Sequence, residues 1–276
     1  MRVGFAGLGM MGFPMARRLL EAGFQLKVYN RTVEKAFPLR EKGAVIAGSP
    51  GDLASDVDVY ITMLRDADVV ERFLLGGAFS KARPGTIFID MSTVYPDFSE
   101  KMASEAERRG FGFLDAPVLG SVDAAERGEL KILVGGRREV YEKVLDLLRV
   151  MGEPLYLGPS GCGSRVKMIV NHILITTVSS LAEALALTRA LDIKPETIME
   201  IMSRHPTGRA LEYYWNRMLP EETRAKFYIE LAAKDLTYIV ETGVRNRQEL
   251  PMASTALQTY TKASKTIPRK DYTRII

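Results

Sequence analysis

Short apolar runs alternate with helical patterns through the first half of the chain. The apolar runs predict buried β-strands at 3–6, 26–29, 44–47, 57–63, 86–90, 111–114, 130–134 and 155–157. Between them, apolar residues recur at helical spacing and predict helices at 14–22, 33–42, 66–75, 96–109 and 138–150. Strands that alternate with helices favour an α/β fold with a parallel, doubly wound sheet.

The pattern changes after Gly158-Pro159. A helical pattern runs from 164 to about 191 without a turn residue, and further helices are predicted at 195–203, 210–218, 221–244 and 251–265. No strand alternation returns, so we predict two domains, 1–162 and 163–276, and the second is all-helical. The tail at 268–276 is short and polar, and we expect it to be loosely held.

The turn after the first strand is a GxGxxG pattern, Gly7-Leu8-Gly9-Met10-Met11-Gly12. The first glycine allows a tight turn, the second lets a pyrophosphate approach the backbone, and the third lets the helix pack against the strand. The N-terminus of the following helix offers N–H groups to phosphates. A glycine turn without a ligand is the alternative, but the flanking strands and helix favour dinucleotide binding. We therefore predict that 1–162 is a Rossmann domain whose glycine turn contacts the cofactor.

The end of the second predicted strand distinguishes NAD from NADP. An NAD site usually has an acidic residue here that accepts hydrogen bonds from the ribose 2′-hydroxyl, whereas this chain has Asn30 followed by Arg31. Asn30 does not repel a 2′-phosphate, and the planar guanidinium of Arg31 suits phosphate. Thr32 and Lys35 can assist. A solvated loop with ordinary charges is the alternative, but the charges favour NADP.

Polar and glycine residues follow several of the later predicted strands. In doubly wound sheets, ligands bind beyond the carboxyl ends of the strands, where the strand order reverses. This rule places four residues near the nicotinamide end of the cofactor: Ser92, Thr93, Gly120 and Ser121. The segment 62–65, at the end of the fourth predicted strand, is expected at the edge of the same crevice.

The long helix at the start of the second domain carries the candidate chemistry. Gly163, Lys167 and Asn171 stand at positions i, i+4 and i+8, and at 3.6 residues per turn they share one helix face. Lys167 can reach a substrate oxygen, and Asn171 can orient the substrate or the lysine. A surface lysine with a snorkelling stem is the alternative, and spacing alone leaves both interpretations open.

Composition excludes several other classes of protein. With two histidines and the single cysteine Cys162, a His/Cys metal site and an internal disulfide are not expected, and a reducing cytoplasm is favoured. The net charge of +4 is mild and its cations are interleaved with acids, so we predict no nucleic-acid partner. We also expect no signal peptide and no membrane helix, because no uninterrupted apolar run approaches the roughly 20 residues that a span needs.

Four motifs in order resemble the β-hydroxyacid dehydrogenase family, which includes 3-hydroxyisobutyrate dehydrogenase and the tartronate semialdehyde, glyoxylate and succinic semialdehyde reductases. The chain is also similar to the amino-terminal part of 6-phosphogluconate dehydrogenase. The family's GLGxMGxxMA matches 7–16, its NADP-type NRT matches 30–32, and its GxxxKxxxN matches 163–171. A late KDL matches 234–236, and the substrate loop DxPVSGG corresponds to 115–121 with differences. The resemblance covers nearly the whole chain.

The resemblance implies a role for each matched residue. Lys167 would be the general acid/base that exchanges a proton with the substrate oxygen while hydride passes to or from the nicotinamide. Asn171 would hold the substrate or the lysine. Substrate contacts would come from Ser92, Gly120, Ser121 and Asp235, and further cofactor contacts from Met63, Leu64, Thr93 and Lys234.

The substrate loop departs from the family pattern. Leu119-Gly120-Ser121 stands where the family often has Ser-Gly-Gly, so a hydroxyl is lost at one position and gained two positions later. An equally open interpretation is that Leu119 only packs and that Ser121 is a turn residue. The departure puts the identity of the substrate in doubt.

The function predicted from these features is NADP-dependent hydride transfer between the nicotinamide and a small β-hydroxyacid or its semialdehyde or 2-oxoacid. Reduction of glyoxylate or succinic semialdehyde comes first, because NADP-type strand ends occur in that branch, and oxidation of 3-hydroxyisobutyrate or serine is the alternative. An imine reductase usually replaces the catalytic lysine, so Lys167 argues against it. A non-catalytic NADP-binding protein would need a defective lysine helix.

The helical domain is predicted to mediate association. Its long helix leaves no polar face over 169–175, which is too apolar to be solvated. The family forms dimers or tetramers, so we expect a homodimer or homotetramer. The aromatic run at 213–215 could serve as a partner contact or lid, but clustered helical aromatics more often form core.

Overall fold

The structure is a computed structural model that describes residues 1–220 and 223–275. Two compact units divide the chain, Met1–Met168 and Ile169–Ile276. The division falls inside the long helix Cys162–Ala190 (α9), whereas the pattern of the sequence set the boundary at its start. Each unit is described by itself below.

Nine strands form one sheet in the first unit. Their bounds are Arg2–Ala6 (β1), Gln25–Tyr29 (β2), Val45–Ile46 (β3), Val59–Thr62 (β4), Ile87–Asp90 (β5), Gly112–Asp115 (β6), Val118–Leu119 (β7), Leu130–Gly136 (β8) and Gly152–Gly158 (β9). The order is β3-β2-β1-β4-β5-β6-β8-β7, with β9 paired to β8. Strands β1 to β6 pair in parallel. The strand order reverses at β1, because β2 and β3 lie on one side of it and β4 to β6 on the other. The predicted doubly wound α/β fold is confirmed.

Strand β8 runs antiparallel to β6 and β7, which the pattern of the sequence did not predict. A parallel return needs a crossover of about a dozen residues or more. Only a short helix, Val122–Arg127, lies between β7 and β8. The chain therefore turns back after this helix, and β8 runs antiparallel to β7. This return lays β8 beside the end of β6, with Asp115 opposite Gly135.

Helices of the first unit cover the sheet. They are Gly12–Glu21 (α1), Phe37–Arg40 (α2), Pro50–Ala54 (α3), Ala67–Phe73 (α4), Phe79–Lys81 (α5), Pro96–Glu107 (α6), Val122–Arg127 (α7) and Arg138–Met151 (α8), with a 3₁₀ turn at Val33–Ala36 and a π turn at Leu74–Ala78. Every residue of β4, β5 and β6 is buried, as expected for central parallel strands with both faces covered. Met15, Leu19 and Leu148 pack with these strands in one apolar core.

Among its described residues, the second unit contains the remainder of α9 and four further helices: Pro195–Met202 (α10), Gly208–Met218 (α11), Ile229–Arg245 (α12) and Pro251–Ser264 (α13). Trp215 lies in its core, where its indole N–H donates to the Leu181 carbonyl at 2.9 Å. The helix predicted at 221–244 begins instead at Ile229, and residues 221 and 222 lie outside the described part of the chain.

The C-terminal tail is held to the second unit, so the prediction of a loose tail is wrong for its described residues. The Asp271 carboxylate accepts from Arg217 Nη2 and from the Lys226 backbone N–H, both at 2.8 Å. The Tyr272 backbone N–H donates to the Phe227 carbonyl at 2.8 Å. This pairing holds the segment before α12 in an extended form, which explains the late start of the helix.

Helix α9 is long and apolar enough to cross a membrane by length and composition, although the sequence was expected to contain no such stretch. In its most apolar window, 33% of the residues are buried inside the chain. Core helices of soluble proteins pass the same test, so the property is weak support for a membrane span.

Candidate active site and cofactor-binding turn

The three glycines of the turn after β1 are required for different reasons. Gly7 has φ +100°, in the left-handed region that favours glycine, and a Cβ there would overlap the Met63 carbonyl. A Cβ on Gly12 would overlap the Gly7 carbonyl, so the start of α1 packs directly on the turn. A Cβ on Gly9 would have no protein atom within 4 Å. Packing therefore explains Gly7 and Gly12, whereas the open space at Gly9 fits the approach of a pyrophosphate.

Asn30 braces this turn from the end of β2. Its Oδ1 accepts from the Leu8 backbone N–H at 2.9 Å, and its Nδ2 donates to the Thr32 carbonyl at 2.8 Å. A carboxylate at this position could accept the first bond but could not donate the second. Arg31, Thr32 and Lys35 are exposed next to it. The structure thus gives Asn30 a bracing role that the sequence did not predict, and leaves two cations accessible beside it.

The loops after β4 and β5 are joined through buried polar groups. Thr62 Oγ1 donates to Asp90 Oδ1 at 2.7 Å, and the Ser92 backbone N–H donates to the same oxygen at 3.1 Å. Ser92 Oγ in turn accepts from the Leu64 backbone N–H at 2.9 Å. This network brings Leu64 and Ser92 together, and Leu64 and Met63 also lie against Gly7. Ser92 is buried within it, and Thr93 is half-buried.

The predicted substrate loop follows β6 and includes β7. Leu119 is half-buried and pairs with Lys131 in the β7–β8 ladder. Gly120 has φ +130°, and a Cβ there would lie 2.9 Å from Leu130 Cδ2. Ser121 precedes α7, and the Ala125 backbone N–H donates to its carbonyl. Leu119 thus lies in the β7–β8 ladder and Ser121 at the turn before α7, and their predicted effect on the substrate pocket stays a prediction.

Asp115, at the end of β6, binds the start of α9. Its Oδ1 accepts from the Gly161 N–H at 2.8 Å and its Oδ2 from the Ser164 N–H at 2.9 Å. Burial raises the pKa of this carboxyl to about 6; the two N–H groups oppose the rise and the Asp90 carboxylate on β5 adds to it. Sequence reasoning placed Asp115 only in a motif and missed this contact, which joins residues 46 and 49 positions apart.

Lys167 reaches the substrate loop. Its Nζ donates to the Val118 carbonyl at 2.8 Å, immediately before Leu119. A Cβ on Gly163 would overlap the Leu133 carbonyl and lie 2.7 Å from the Asp115 carbonyl, so the glycine allows α9 to pack closely on the sheet. In the GxxxK motif, Gly163 thus allows close helix–sheet packing, and Lys167, one turn later, places a half-buried ammonium at the loop.

In the second unit, Asn171 is buried and its Nδ2 donates to Asp235 Oδ2 at 2.7 Å. The other oxygen of Asp235 lies 2.9 Å from Lys234 Nζ, which also stands over the Tyr238 ring. Asp235 was predicted to contact substrate. Its buried carboxylate accepts from the Asn171 amide and pairs with Lys234, and the substrate contact stays a prediction.

Together these features define a class of protein. A Rossmann unit with an open glycine turn, a lysine at the loop after a central strand and a helical second unit are the parts of an NAD(P)-dependent oxidoreductase. The residues at the turn fit a dinucleotide, because Gly9 leaves space and Arg31 and Lys35 offer positive charge.

Two family models cover the chain. The family described as NAD binding domain of 6-phosphogluconate dehydrogenase matches residues 2–167. The family described as NAD-binding of NADP-dependent 3-hydroxyisobutyrate dehydrogenase matches residues 161–276. The chain belongs to the β-hydroxyacid dehydrogenase family, and it is an NAD(P)-dependent oxidoreductase acting on the CH–OH group of hydroxyacids.

Individual relatives agree with this assignment. The chain is 35% identical to 2-(hydroxymethyl)glutarate dehydrogenase of Eubacterium barkeri over 94% of this chain and 88% of that protein. It is 33% identical to 3-sulfolactaldehyde reductase of Escherichia coli K12 over 95% and 89%. The crystal structure of 3-hydroxyisobutyrate dehydrogenase from Salmonella typhimurium matches with a TM-score of 0.89 and 25% identity, covering 99% and 98%.

Proposed function

We propose that the protein is an NADPH-dependent reductase of small aldehydes or 2-oxoacids that carry a carboxylate, with glyoxylate and succinic semialdehyde as the first candidates. The observation that carries the proposal is the position of Lys167, whose ammonium is bound to Val118 beside the substrate loop. The likeness to a sulfolactaldehyde reductase, which by its name reduces an aldehyde, supports the same direction.

When bound, the nicotinamide supplies the hydride. Lys167 donates a proton to the carbonyl oxygen of the substrate, and in the reverse direction it accepts the hydroxyl proton. Its bond to Val118 holds the ammonium at the loop whose backbone at Gly120 and Ser121, with Ser92, would bind the substrate carboxylate. Binding the carboxylate fixes the reacting carbon relative to the lysine, so that proton transfer takes place within a bound and oriented complex. For Asn171 and Asp235 we propose the substrate roles, and for Lys234 the cofactor role, that the resemblance implies.

A reduction screen tests this proposal. We expect oxidation of NADPH with glyoxylate, succinic semialdehyde or tartronate semialdehyde, and a lower kcat/KM when NADH replaces NADPH. Preference for NADPH is expected because Arg31 and Lys35 are accessible and Asn30 carries no charge that repels a 2′-phosphate. Turnover of none of these carbonyl compounds with either cofactor would contradict the proposed function.

The Arg31→Ala variant is the control for the cofactor assignment in the same screen. Loss of one charged phosphate contact is expected to raise the KM for NADPH by about 10- to 100-fold, while the KM for NADH changes little. An equal change with both cofactors would contradict a role of Arg31 at the 2′-phosphate.

The second candidate is oxidation of 3-hydroxyisobutyrate or serine with NADP⁺ or NAD⁺. The likeness to 3-hydroxyisobutyrate dehydrogenase over nearly the full length of both chains favours it. The oxidation arm of the same screen separates the two candidates, because turnover of 3-hydroxyisobutyrate or serine without turnover of glyoxylate or succinic semialdehyde would favour the second.

We also propose that the protein forms a homodimer or homotetramer through α9. In the second unit, Ile169, Ile173 and Leu187 lie on one face of this helix, and Leu191 follows its last residue. Each of these four side chains is 60% exposed. The residues between them on that face, Thr176, Ser180 and Ala184, carry no charge. A self-complementary apolar stripe suits a second copy of the chain related by a two-fold axis.

Light scattering of the Leu187→Glu variant tests the association. We expect the wild type to have the mass of two or four chains, and the variant to dissociate at least tenfold more readily, because the glutamate would be buried without a partner. Val45→Glu is the matched control, since Val45 is also exposed but lies on β3 of the first unit. A wild-type mass of one chain would overturn the proposal.

A further inference from the structure

We propose that Asp115 is a positioning residue for Lys167, because its carboxylate ties the first turn of α9 to the edge of the sheet. This inference rests on the proposed function, in which Lys167 transfers the proton. Asp115 does not touch the reacting atoms in this proposal. It acts through the helix that carries the lysine.

The carboxylate supplies acceptors where a helix lacks them. The first N–H groups of an α-helix have no partner within the helix. Asp115 accepts the Gly161 N–H with one oxygen and the Ser164 N–H with the other, at 2.8 and 2.9 Å. Both oxygens are thus committed to backbone at the beginning of α9, and Lys167 follows Ser164 by three residues.

Glycine backbone closes the space around the carboxylate. Gly135 stands opposite Asp115 in the β6–β8 ladder, and a Cβ there would lie 2.6 Å from Asp115 Oδ1. A Cβ on Gly163 would lie 2.9 Å from Asp115 Oδ2. The carboxylate therefore sits in a slot that fixes its position, and it fixes the helix in turn.

A second contact makes the attachment rigid. The segment that begins with Asp115 binds α9 again three residues later, where the Val118 carbonyl accepts from Lys167 Nζ. The two contacts are three residues apart on both partners, 115 to 118 and 164 to 167. A shift of α9 at Ser164 would therefore move the ammonium relative to Val118 and the loop that follows.

A direct substrate contact does not fit Asp115. The side chain is fully buried, both oxygens accept backbone N–H groups, and a second carboxylate, Asp90, lies at the end of the neighbouring strand. An anionic substrate would be repelled from such a site. The position of Asp115 in the substrate motif reflects attachment of the lysine helix.

The protonation state of Asp115 gives a second readout. Asp90 on β5 is the charged group that acts on it, and β8 and the start of α9 face it with Gly135, Gly161, Gly163 and Ser164. Its folded pKa of about 6 exceeds the ordinary 3.8, so its contribution to stability is full below 3.8 and is lost as the pH rises through about 6. Acid therefore does not unfold the protein through this group. It removes an acceptor from the helix start.

The Asp115→Asn variant tests the inference, because asparagine keeps the shape but only one acceptor oxygen. We expect a kcat about 10- to 100-fold lower, with the Kd for NADPH and the substrate KM changed less than about threefold. We also expect the wild-type kcat to fall as the pH decreases through about 6, and this fall to be absent in the variant.

Glu100→Gln is the matched control. Glu100 pairs with Arg165 and packs beside Gly161, so it contacts the same helix start, but from the exposed side. We expect its kcat to remain within twofold of the wild type. Melting curves and the Kd for NADPH of both variants establish that each is folded.

A folded Asp115→Asn variant with wild-type kcat and an unchanged pH profile would overturn the inference, as would an equal loss of kcat in Glu100→Gln. If Asp115→Asn does not fold, Asp115→Glu replaces it, because glutamate keeps both acceptor oxygens but moves them by one methylene group relative to the helix start. A wild-type protein without turnover would instead count against the proposed function, so the two failures are distinguishable.

Discussion

Replacing Lys167 by alanine is expected to lower kcat by about 10³-fold, the range in which a positioned general acid contributes. The ammonium is the group that the structure binds to Val118 beside the substrate loop, and the methyl group of alanine cannot carry a proton. The Kd for NADPH should change little, because the predicted phosphate contacts come from the glycine turn and Arg31. Single-turnover decay of NADPH absorbance, with binding measured by calorimetry, checks both statements.

Two further variants distinguish proton transfer from charge. Lys167→Arg keeps the positive charge and can still donate to Val118, but arginine does not release its proton in proteins, so kcat should remain low. Lys143→Ala removes an exposed lysine on α8 and should leave kcat unchanged. Retention of more than a tenth of the wild-type kcat by Lys167→Ala would exclude the assigned role.

Replacing Asp271 by alanine is expected to destabilise the second unit by about 3–5 kcal/mol, the cost of breaking a buried ion pair. Its carboxylate is fully buried and pairs with Arg217, whose side chain is 14% exposed. It also accepts from the Lys226 N–H at 2.8 Å and from Thr273 Oγ1 at 2.7 Å. The variant leaves a guanidinium, the N–H groups of Lys226, Phe227 and Thr273 and the Thr273 hydroxyl without this acceptor, and it is expected to release the tail.

Urea unfolding followed by tryptophan fluorescence measures this effect, because Trp215 is the single tryptophan and lies in the core of the second unit. Glu241→Ala is the matched control in the same unit. Glu241 pairs with Arg245 on the surface of α12, where such pairs contribute about 0–1 kcal/mol. A midpoint for Asp271→Ala that equals that of the control would show that the tail is not held by this carboxylate.

Features that depend on spacing within one segment were predictable from the chain. The strand, glycine turn and helix at the N-terminus follow from neighbouring residues, and so does α9, predicted at 164 to about 191 and found at Cys162–Ala190. The candidate residues Gly163 and Lys167 follow from helical periodicity in the same way. The resemblance of these motifs to those of the β-hydroxyacid dehydrogenase family supplied the chemical roles of the residues.

Features that join distant segments were not predictable. Whether β8 runs parallel or antiparallel depends on how its crossover packs, and an apolar run has no direction. Asn30 and Ser92 appeared as polar residues after strands and Asp90 as the last residue of one, and nothing in the pattern identified the groups that they bind.

Asp115 and Asp271 show the physical reason. Asp115 stands in the predicted substrate loop and Asp271 in the predicted tail, yet each is fully buried and binds backbone N–H groups of another segment. A carboxylate can be buried only where acceptor-deficient N–H groups or cations meet it, and those partners arrive 49 and 45 residues away along the chain. Periodicity therefore sufficed for the elements and for the lysine, whereas the packing of distant segments decided what holds the lysine helix and the tail in place.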